Sequence, residues 1–321
     1  MIGTIGSRET VWALAEQLGS RPEAGHDAGR QQMADALYIG LDIGGTKLMV
    51  AAADGAGQLL RRTREPTPLD LDDGLDALNR MIAQVADGEP IAAIGAAIGG
   101  PLDARRGVVS PLHQPRWRDV PLKAMLEARW GCPFFVDVDT NVAAIGEYTL
   151  GGGGAARFLY ITISTGMGGG FLVDGAIYRG AQERHPEVGH QSINYRCAHP
   201  EQVICECGAP DCLEALVSGN GIRRIYGVPA EGLTAAEWDE VAYNLGQGLR
   251  NLAAIYLPDL IVIGGGVALG GGEQLLDGAR DIMTDHLRLV AAPEVRLSRL
   301  GYDTALLGAI VLARQGLETH L

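Results

Sequence analysis

The hydrophobic pattern of this chain becomes regular at Leu37. The run LYIGLDIGGTKLMVAAAD over 37–54 predicts a strand, a glycine turn and a second strand, and Asp54-Gly55 then supplies a hairpin turn. Residues 69–86 have helical spacing, and 91–98 predict a buried strand that ends at Gly99-Gly100-Pro101. Further predicted elements are helices at 121–130, 141–150, 213–226, 235–256 and 304–314, and strands at 133–138, 158–164, 171–173 and 260–263.

A second strand, glycine run and strand repeat the design of the first. Residues 158–164 are followed by Thr165-Gly166-Met167-Gly168-Gly169-Gly170 and then by a short apolar run. Two α/β halves, each opened by a glycine hairpin, predict a two-lobed protein with a cleft between its lobes. Residues 1–36 stand apart, with one short helix expected at 9–18 and then a polar stretch, and we expect a loosely ordered extension there.

The charge balance excludes some classes of partner. Lys and Arg total 26 and Asp and Glu total 39, which gives a formal net charge of −13. A nucleic-acid partner is not expected, because phosphate binding needs clustered cations. No apolar run is long enough to span a bilayer and the N-terminus lacks a secretory signal, so we expect a cytoplasmic protein without a membrane partner. In that compartment grouped cysteines bind metal more often than they pair.

One cluster of metal-ligating residue types dominates the chain. His190, Cys205, Cys207 and Cys212 lie within 23 positions. One imidazole and three thiols can close a tetrahedral zinc site, which would be structural because no position stays open for chemistry. Its task would be to fix the glutamates around it. Cys197 and His199 lie between His190 and Cys205 and are spare ligands that could compete.

Three glycine segments at strand ends indicate phosphate binding. Asp42-Ile43-Gly44-Gly45-Thr46-Lys47 offers an acid, glycine amides, a hydroxyl and a cation, and it is not a Walker motif. Thr165-Gly166 with Gly168–Gly170 offers a second loop for the same phosphates, and Gly264-Gly265-Gly266 leaves bare backbone for an adenine. Any one of them is also compatible with an ordinary tight hairpin.

The candidate catalytic base lies in Val136-Asp137-Val138-Asp139-Thr140-Asn141. A carboxylate at this strand end could accept a proton from a hydroxyl during phosphoryl transfer. From spacing alone, Asp139 or Asn141 is equally compatible with a helix N-cap. The strand's alternation directs Asp137 elsewhere.

The motifs DIGGTK, ITISTGMGGG, HPEVGH, CECGAPDCLEALVSG and LIVIGGGV follow one another in the order seen in the ROK family of sugar kinases and repressors. The resemblance covers about residues 38–314. It implies the two-domain, actin-like (ribonuclease-H-like) ATPase fold, a homodimer or higher homo-oligomer, and a last helix that packs on the first domain. The domains expected are therefore 37–140 with 304–321, a small α/β domain, and 141–303, a large α/β domain with the zinc site.

The resemblance also implies roles for single residues. Asp139 is the catalytic base, and Asp42 works near Mg²⁺ and the phosphates. His190 is both a zinc ligand and a sugar contact. The remaining expected substrate-binding residues are Gly100, Asn141, Glu187 and Glu214, and the remaining expected nucleotide-binding residues are Gly44, Gly45, Thr46, Lys47, Thr165, Gly166, Gly265 and Gly266. The expected cofactors are structural Zn²⁺ and Mg²⁺, with ATP as cosubstrate and a hexose as acceptor.

The acceptor sugar is less sharply indicated. His113 and Val138 stand where glucokinase-like members carry sugar-binding asparagines, and His185-Pro186 ahead of Glu187 resembles the fructokinase branch. The run RWRDVPL over 116–122 is glucokinase-like. We expect transfer to the 6-hydroxyl of glucose, with a fructokinase, an N-acetylmannosamine kinase or a non-catalytic sugar-sensing regulator as alternatives. A DNA-binding repressor is disfavoured, because 36 residues with three cations are too few for a winged helix module.

Overall fold

The computed structural model describes residues 37–320, which form two compact units. One unit ends at Asp139 and takes up the chain again from Leu306, and the other is Thr140–Ala305. Each contains a five-stranded sheet together with helices, so the expected α/β class is confirmed. The short helix expected at 9–18 and the rest of the extension lie outside the described residues.

The first unit has a mixed sheet of order β3-β2-β1-β4-β7. Strands β1, β2 and β3 are antiparallel neighbours, while β1, β4 and β7 run parallel. A small sheet joins β5 to β6. The bounds are β1 Leu37–Ile43, β2 Lys47–Ala53, β3 Leu59–Pro66, α1 Leu71–Ala86, β4 Ile91–Ile98, β5 Leu102–Asp103, β6 Val108–Val109, α2 Leu122–Trp130 and β7 Phe134–Val138.

Helix α8, Thr304–His320, packs on one face of this sheet, and two glycines make room for it. Gly40 in β1 and Gly95 in β4 are direct partners across the ladder. A Cβ on Gly40 would lie 2.7 Å from the Leu306 carbonyl, and one on Gly95 would collide with the Ala309 carbonyl. The opposite face of the sheet packs against α1 and the fully buried Trp117. Both faces are therefore covered, which explains the long apolar runs of β1 and β4.

The second unit repeats this sheet plan with the order β10-β9-β8-β11-β12. Here β8, β9 and β10 are antiparallel, while β8, β11 and β12 are parallel. The bounds are α3 Asp139–Thr149, β8 Arg157–Ile163, β9 Met167–Val173, β10 Ala176–Ile177, α4 Leu213–Val217, α5 Gly219–Tyr226, α6 Ala235–Tyr256, β11 Leu260–Gly264, α7 Gly266–Asp285 and β12 Glu294–Leu297. One face of the sheet packs on α4 to α7, and the other packs on α3.

The expectation that Gly168–Gly170 form a phosphate loop is wrong. These glycines lie within β9 and pair with β8. They are glycines because a Cβ on Gly168 would lie 2.7 Å from Thr140, one on Gly170 2.7 Å from Ala144, and one on Gly169 2.8 Å from Val188. Close packing on the two faces of the strand, and not a turn, selects them. The turn itself is shorter and comprises Ser164 to Gly166.

Other boundaries also differ from those expected. The helix expected at 213–226 breaks at Ser218, whose extended backbone ends α4 and whose hydroxyl accepts the Gly221 amide at 3.1 Å to cap α5. The last helix runs on to His320, and β3, α7 and β12 were not foreseen. Across residues 37–320, none of the helices combines the length and the apolar character that crossing a bilayer requires.

Candidate functional site

Four ligand side chains converge in the second unit. The cluster contains His190, Cys205, Cys207 and Cys212, with one ligand atom from each and all of these atoms within 4.8 Å of one another. His190 Nδ1 lies 3.4 Å from the sulfur of Cys205, and the sulfurs of Cys207 and Cys212 lie 3.3 Å apart. A zinc ion about 2.3 Å from each sulfur places its ligand atoms roughly 3.5–3.8 Å apart, so small side-chain adjustments would let these four residues hold one tetrahedral zinc.

Short irregular segments bring the four ligands together. His190 ends a 3₁₀ turn, Val188–His190, and Ser192 then pairs with Cys212 as an antiparallel bridge. Cys212 directly precedes α4. Cys205 begins a tight turn in which its carbonyl accepts the Gly208 amide at 3.1 Å, with Gly208 at φ 90°. The strand-like bridge and the glycine turn therefore hold the ligands in place through backbone contacts.

The three thiols of the cluster differ in how readily they form the thiolate that binds metal. The Ala209 amide and the neighbouring Cys205 and Cys212 thiols lower the pKa of Cys207 to about 7, which favours the thiolate that binds metal. Burial raises the pKa of Cys205 and of Cys212, so a bound cation would have to supply the charge that deprotonates them.

The two spare ligands lie outside this cluster. Cys197 packs partly against the core of the second unit, and His199 lies 3.8 Å from Glu201. The segment that carries them is tied to α6, because buried Asn244 accepts the Arg196 amide at 2.8 Å and donates to its carbonyl at 2.7 Å. The segment between His190 and Cys205 is therefore docked on a helix.

Glu214 connects the cluster to the β8–β9 turn. It lies in the first turn of α4, two residues after Cys212, and its Oε2 accepts the Met167 amide at 3.0 Å. Gly189, next to His190, packs on the same turn, because a Cβ there would lie 2.9 Å from the Met167 carbonyl and 3.2 Å from Cβ of Glu214. The segments that carry two cluster ligands thus support the turn that contains Thr165 and Gly166.

The turn has a second support. The Gly219 and Asn220 amides at the start of α5 donate to the Ser164 and Thr165 carbonyls at 2.7 and 3.0 Å. The side chain of Thr165 is exposed at the tip. The expected phosphate turn is therefore rigid and accessible.

Glu187 lies beside the cluster and is accessible to solvent. Its carboxylate is 3.5 Å from Nε2 of His185, and its side chain is 61 % exposed. The carbonyl of Glu187 accepts the His190 amide at 3.1 Å, which closes the 3₁₀ turn. The structure thus places Glu187, His190 and Glu214 around one short segment.

Two carboxylates meet in the first unit. Asp42 is the last residue but one of β1 and is partly buried, and Asp139 is the exposed first residue of α3, directly after β7. Burial and the negative charge of Asp139 raise the pKa of Asp42 to about 6, and Lys47 partly opposes this shift. Asp137, unlike the exposed Asp139, is buried, and its carboxylate accepts a hydrogen bond from the adjacent Val138 amide at 2.7 Å.

The Gly44–Lys47 hairpin is held by two residues that the sequence did not reveal. The Gly44 carbonyl accepts two hydrogen bonds, one from the Thr67 hydroxyl at 2.6 Å and one from the side-chain amide of the buried Gln114 at 3.0 Å. The Gly44 amide itself donates to the Lys47 carbonyl, while Gly45 and Thr46 are exposed. Gln114 lies three residues before the buried Trp117, and this polar position beside a core tryptophan is the signal that could have identified it.

His113 packs against Gly45, since a Cβ on Gly45 would lie 2.6 Å from that of His113. Gly100 forms a cis peptide with Pro101, and its carbonyl accepts the Leu112 amide at 3.0 Å. The segment that carries His113 is thereby held beside both the hairpin and the end of β4. Asn141 is buried in the first turn of α3 in the second unit.

The third glycine segment joins β11 to α7. Gly265 has φ 90°, and a Cβ there would collide with the Ile163 carbonyl, so this position requires glycine. A Cβ on Gly264 would collide with the Tyr160 hydroxyl. Gly266 begins α7 and is partly exposed. The bare backbone expected from the sequence is present.

Comparison of the amino-acid sequence with known proteins identifies a matching family and several relatives. The family model described as ROK family matches residues 38–316. The glucokinase of Streptomyces coelicolor is 30% identical over 318 residues, covering 87% of this chain and 98% of the relative. A putative xylose repressor of Caldicellulosiruptor is 27% identical and covers 86% of this chain and 77% of the relative.

Two solved structures share the fold. The ROK hexokinase of Thermus thermophilus has a TM-score of 0.77 at 33% identity, covering 88% of this chain and 99% of its own. The ROK family glucokinase of Streptomyces griseus, solved with glucose and AMPPNP, has a TM-score of 0.73 at 30% identity and covers 88% and 100%. These likenesses confirm the two-domain, actin-like ATPase fold.

The four-ligand cluster predicts one tightly bound zinc per chain. Cys207→Ser should lose most of it, because this variant removes the thiol that ionises most readily, whereas Cys197→Ser should retain it. Zinc is to be measured by mass spectrometry on protein purified without added metal. Equal zinc contents in the two variants would contradict the assigned ligand set.

The raised pKa of Asp42 predicts that replacing this carboxylate by an amide stabilises the fold by an amount that depends on pH. Its folded pKa of about 6 lies above the ordinary 3.8, so the folded state retains a proton that the unfolded state loses, and the free energy of unfolding falls as pH rises through this window. Asp42→Asn should be neutral near pH 3.8 and stabilising by on the order of 1–2 kcal/mol above pH 6 in magnesium-free buffer. Denaturant unfolding at several pH values measures this difference. A variant of the exposed Asp76 is the control, and a gain that does not vary with pH would show that the ionisation of Asp42 is not its cause.

Proposed function

Because this chain belongs to the ROK family, we propose that it is an ATP-dependent hexose kinase that transfers the γ-phosphate of ATP to a sugar hydroxyl. The observation that carries the proposal is an exposed carboxylate, Asp139, beside a second carboxylate whose proton affinity it raises. The S. griseus relative was solved with glucose and AMPPNP, which are the two ligand types that this reaction needs.

Asp139 is the proposed general base. It is solvent-exposed at the first position of α3, where a carboxylate is also stabilised by the helix dipole. As the sugar oxygen bonds to the γ-phosphorus and the bond to the ADP oxygen breaks, the hydroxyl proton passes to the Asp139 carboxylate. Asp139 therefore combines the proposed base role with a position at the start of a helix.

Asp42 is the proposed partner of Mg²⁺. Carboxylate oxygens are ligands that Mg²⁺ prefers. Burial and then the negative charge of Asp139 raise the pKa of Asp42, and a cation beside it would favour the ionised form. When bound with ATP, Mg²⁺ neutralises charge on the phosphates. Lys47 opposes the shift at Asp42, as expected of a cation on the same hairpin.

The nucleotide-binding residues proposed are backbone-rich segments. Exposed Gly45 and Thr46 lie at the tip of a hairpin fixed by Thr67 and Gln114. Thr165 and Gly166 lie at the tip of the turn supported by Glu214. Such pre-ordered turns bind phosphate with little loss of conformational freedom. Asp42, Gly44, Lys47, Gly265 and Gly266 complete the proposed set.

The sugar-binding residues proposed are Gly100, Asn141, Glu187, His190 and Glu214. One oxygen of Glu214 accepts the Met167 amide, and its second oxygen can accept a sugar hydroxyl. His190 would bind the structural zinc through one ring nitrogen and offer the other to the sugar. The four ligands would hold His190 directly and Glu214 through the neighbouring Cys212, and the metal would supply order in the acceptor site and no part of the transfer.

Glucose is the proposed acceptor, at its 6-hydroxyl. Support comes from the glucokinases among the relatives and from the RWRDVPL run, whose tryptophan is fully buried in the first unit. A fructokinase or N-acetylmannosamine kinase is the nearest alternative, because His113 and Val138 replace two asparagines. Losing two amide contacts reduces discrimination between sugars.

A non-catalytic sugar-sensing regulator is the second candidate function. The repressor among the relatives favours it. The presence of Asp139 argues against a regulator. A sugar sensor has no need of an exposed carboxylate at this position, where its negative charge disfavours the ionisation of Asp42.

Removing the base should stop the transfer but not sugar binding. Asp139→Asn should lower kcat by about 10²–10⁴-fold with glucose affinity nearly unchanged, since the amide still forms hydrogen bonds but accepts no proton. A coupled kinase assay and calorimetric glucose titration measure the two quantities. Asp137→Asn, assayed per folded molecule, is the matched control, and an Asp139→Asn enzyme of normal turnover would remove Asp139 from the base role.

A panel of acceptors tests the substrate. With ATP and Mg²⁺, kcat/KM should be highest for glucose and lower for fructose, mannose and N-acetylmannosamine. The product should resist periodate cleavage at carbon 6, as a 6-phosphate does. Higher activity on fructose would support the fructokinase alternative. Binding of glucose without phosphorylation of any member of the panel would support the regulator.

A further inference from the structure

Tyr302 is the most exposed aromatic side chain within residues 37–320. It lies in a 3₁₀ turn, Gly301–Asp303, between β12 and α8, and 70 % of it is accessible. The other markedly exposed tyrosine among the described residues is Tyr178, at 45 %. A ligand that covered this ring would gain the free energy of burying its apolar surface.

The turn that carries Tyr302 is anchored on both sides. The Gly301 amide donates to the Ser298 hydroxyl at 2.9 Å, and the Thr304 hydroxyl donates to the Gly301 carbonyl at 2.7 Å. The Leu300 amide donates to the carboxylate of Glu147 at 2.8 Å, and Glu147 is fully buried.

Glu147 is itself fixed by further contacts. The Ser298 hydroxyl donates to the same Glu147 oxygen, and Arg296 lies 3.7 Å from the other. A buried carboxylate with these partners is costly to move. The backbone of Tyr302 is therefore held in place although its ring is exposed.

The ring lies beside Gly266. Packing requires Gly264 and Gly265 to be glycine, but a Cβ on Gly266 would meet only Cε1 of Tyr302, 3.9 Å away. Within residues 37–320 no other heavy atom outside the local chain comes within 4 Å of that position. The exposed ring and the bare Gly266 backbone beside it form one surface on which a planar heteroaromatic group can lie.

We infer that Tyr302 stacks on the purine base of the nucleotide donor, beside the Gly266 backbone, and so makes the enzyme favour nucleoside triphosphates over phosphate donors without a base. This inference rests on the proposed kinase function and adds the residue that reads the base. A pre-ordered ring binds a base without loss of side-chain freedom, and stacking is tolerant of which purine is present.

The test compares ATP with inorganic tripolyphosphate, which has the charge but no base. Calorimetric titration should show Tyr302→Ala binding ATP about tenfold more weakly, with Tyr302→Phe within about twofold of the unaltered protein. Tripolyphosphate affinity should be unchanged in both variants. Tyr178→Ala, an exposed tyrosine of the same unit, is the matched control and should bind both ligands normally.

Three results would overturn the inference. ATP affinity unchanged in Tyr302→Ala, in a protein that still phosphorylates a hexose, would refute it and leave the proposed function intact. Equal weakening of ATP and tripolyphosphate would show that the substitution disturbs the turn and that Tyr302 does not read a base. If the unaltered protein neither binds ATP nor phosphorylates a hexose, both the inference and the proposed function fail.

Discussion

The hydrogen bond from the Met167 amide to the Glu214 carboxylate is the contact on which the candidate chemistry of the second unit depends. Glu214 follows the ligand Cys212 by two residues in the opening of α4, and Gly189, beside the ligand His190, packs on Met167 from the other direction. A metal that fixes the four ligands therefore also fixes the expected phosphate turn. Within the second unit, one structural ion can thus order the proposed sugar contacts His190 and Glu214 and the turn of Thr165 and Gly166.

The first unit contains an electrostatic conflict that packing alone would not select. Asp42 lies near the end of β1 and Asp139 directly follows β7, on either side of β4, and burial together with the charge of Asp139 raises the pKa of Asp42 to about 6. Such a pair reduces stability at neutral pH, and active sites commonly keep such conflicts. The glycine hairpin beside them is fixed in contrast by satisfied hydrogen bonds from Thr67 and Gln114. Rigid backbone and unrelieved charge therefore lie side by side, an arrangement suited to a cation and phosphates.

The sequence predicted features that depend on residue type and failed where distant neighbours decide. The four metal-ligand residues were identifiable because imidazole and thiol side chains at close spacing have few other uses, and the structure brings them together. Gly168–Gly170 were misread as a loop, since the side chains that exclude a Cβ there lie outside β9: Thr140 and Ala144 in α3 and Val188 in a 3₁₀ turn. Gln114 was missed for the same reason, because its partner, Gly44, lies 70 positions away. Long-range packing carries no local pattern.

Hydrogen exchange at the Met167 amide tests the central claim most directly. Exchange is compared between the zinc-loaded and the chelator-stripped protein under reducing conditions, with peptides from β4 as the internal reference. If the cluster supports the turn through Glu214, removing the metal should speed exchange across 164–167 by at least about tenfold and leave β4 unchanged. Unaltered exchange at Met167 in protein that has lost its metal would contradict the account.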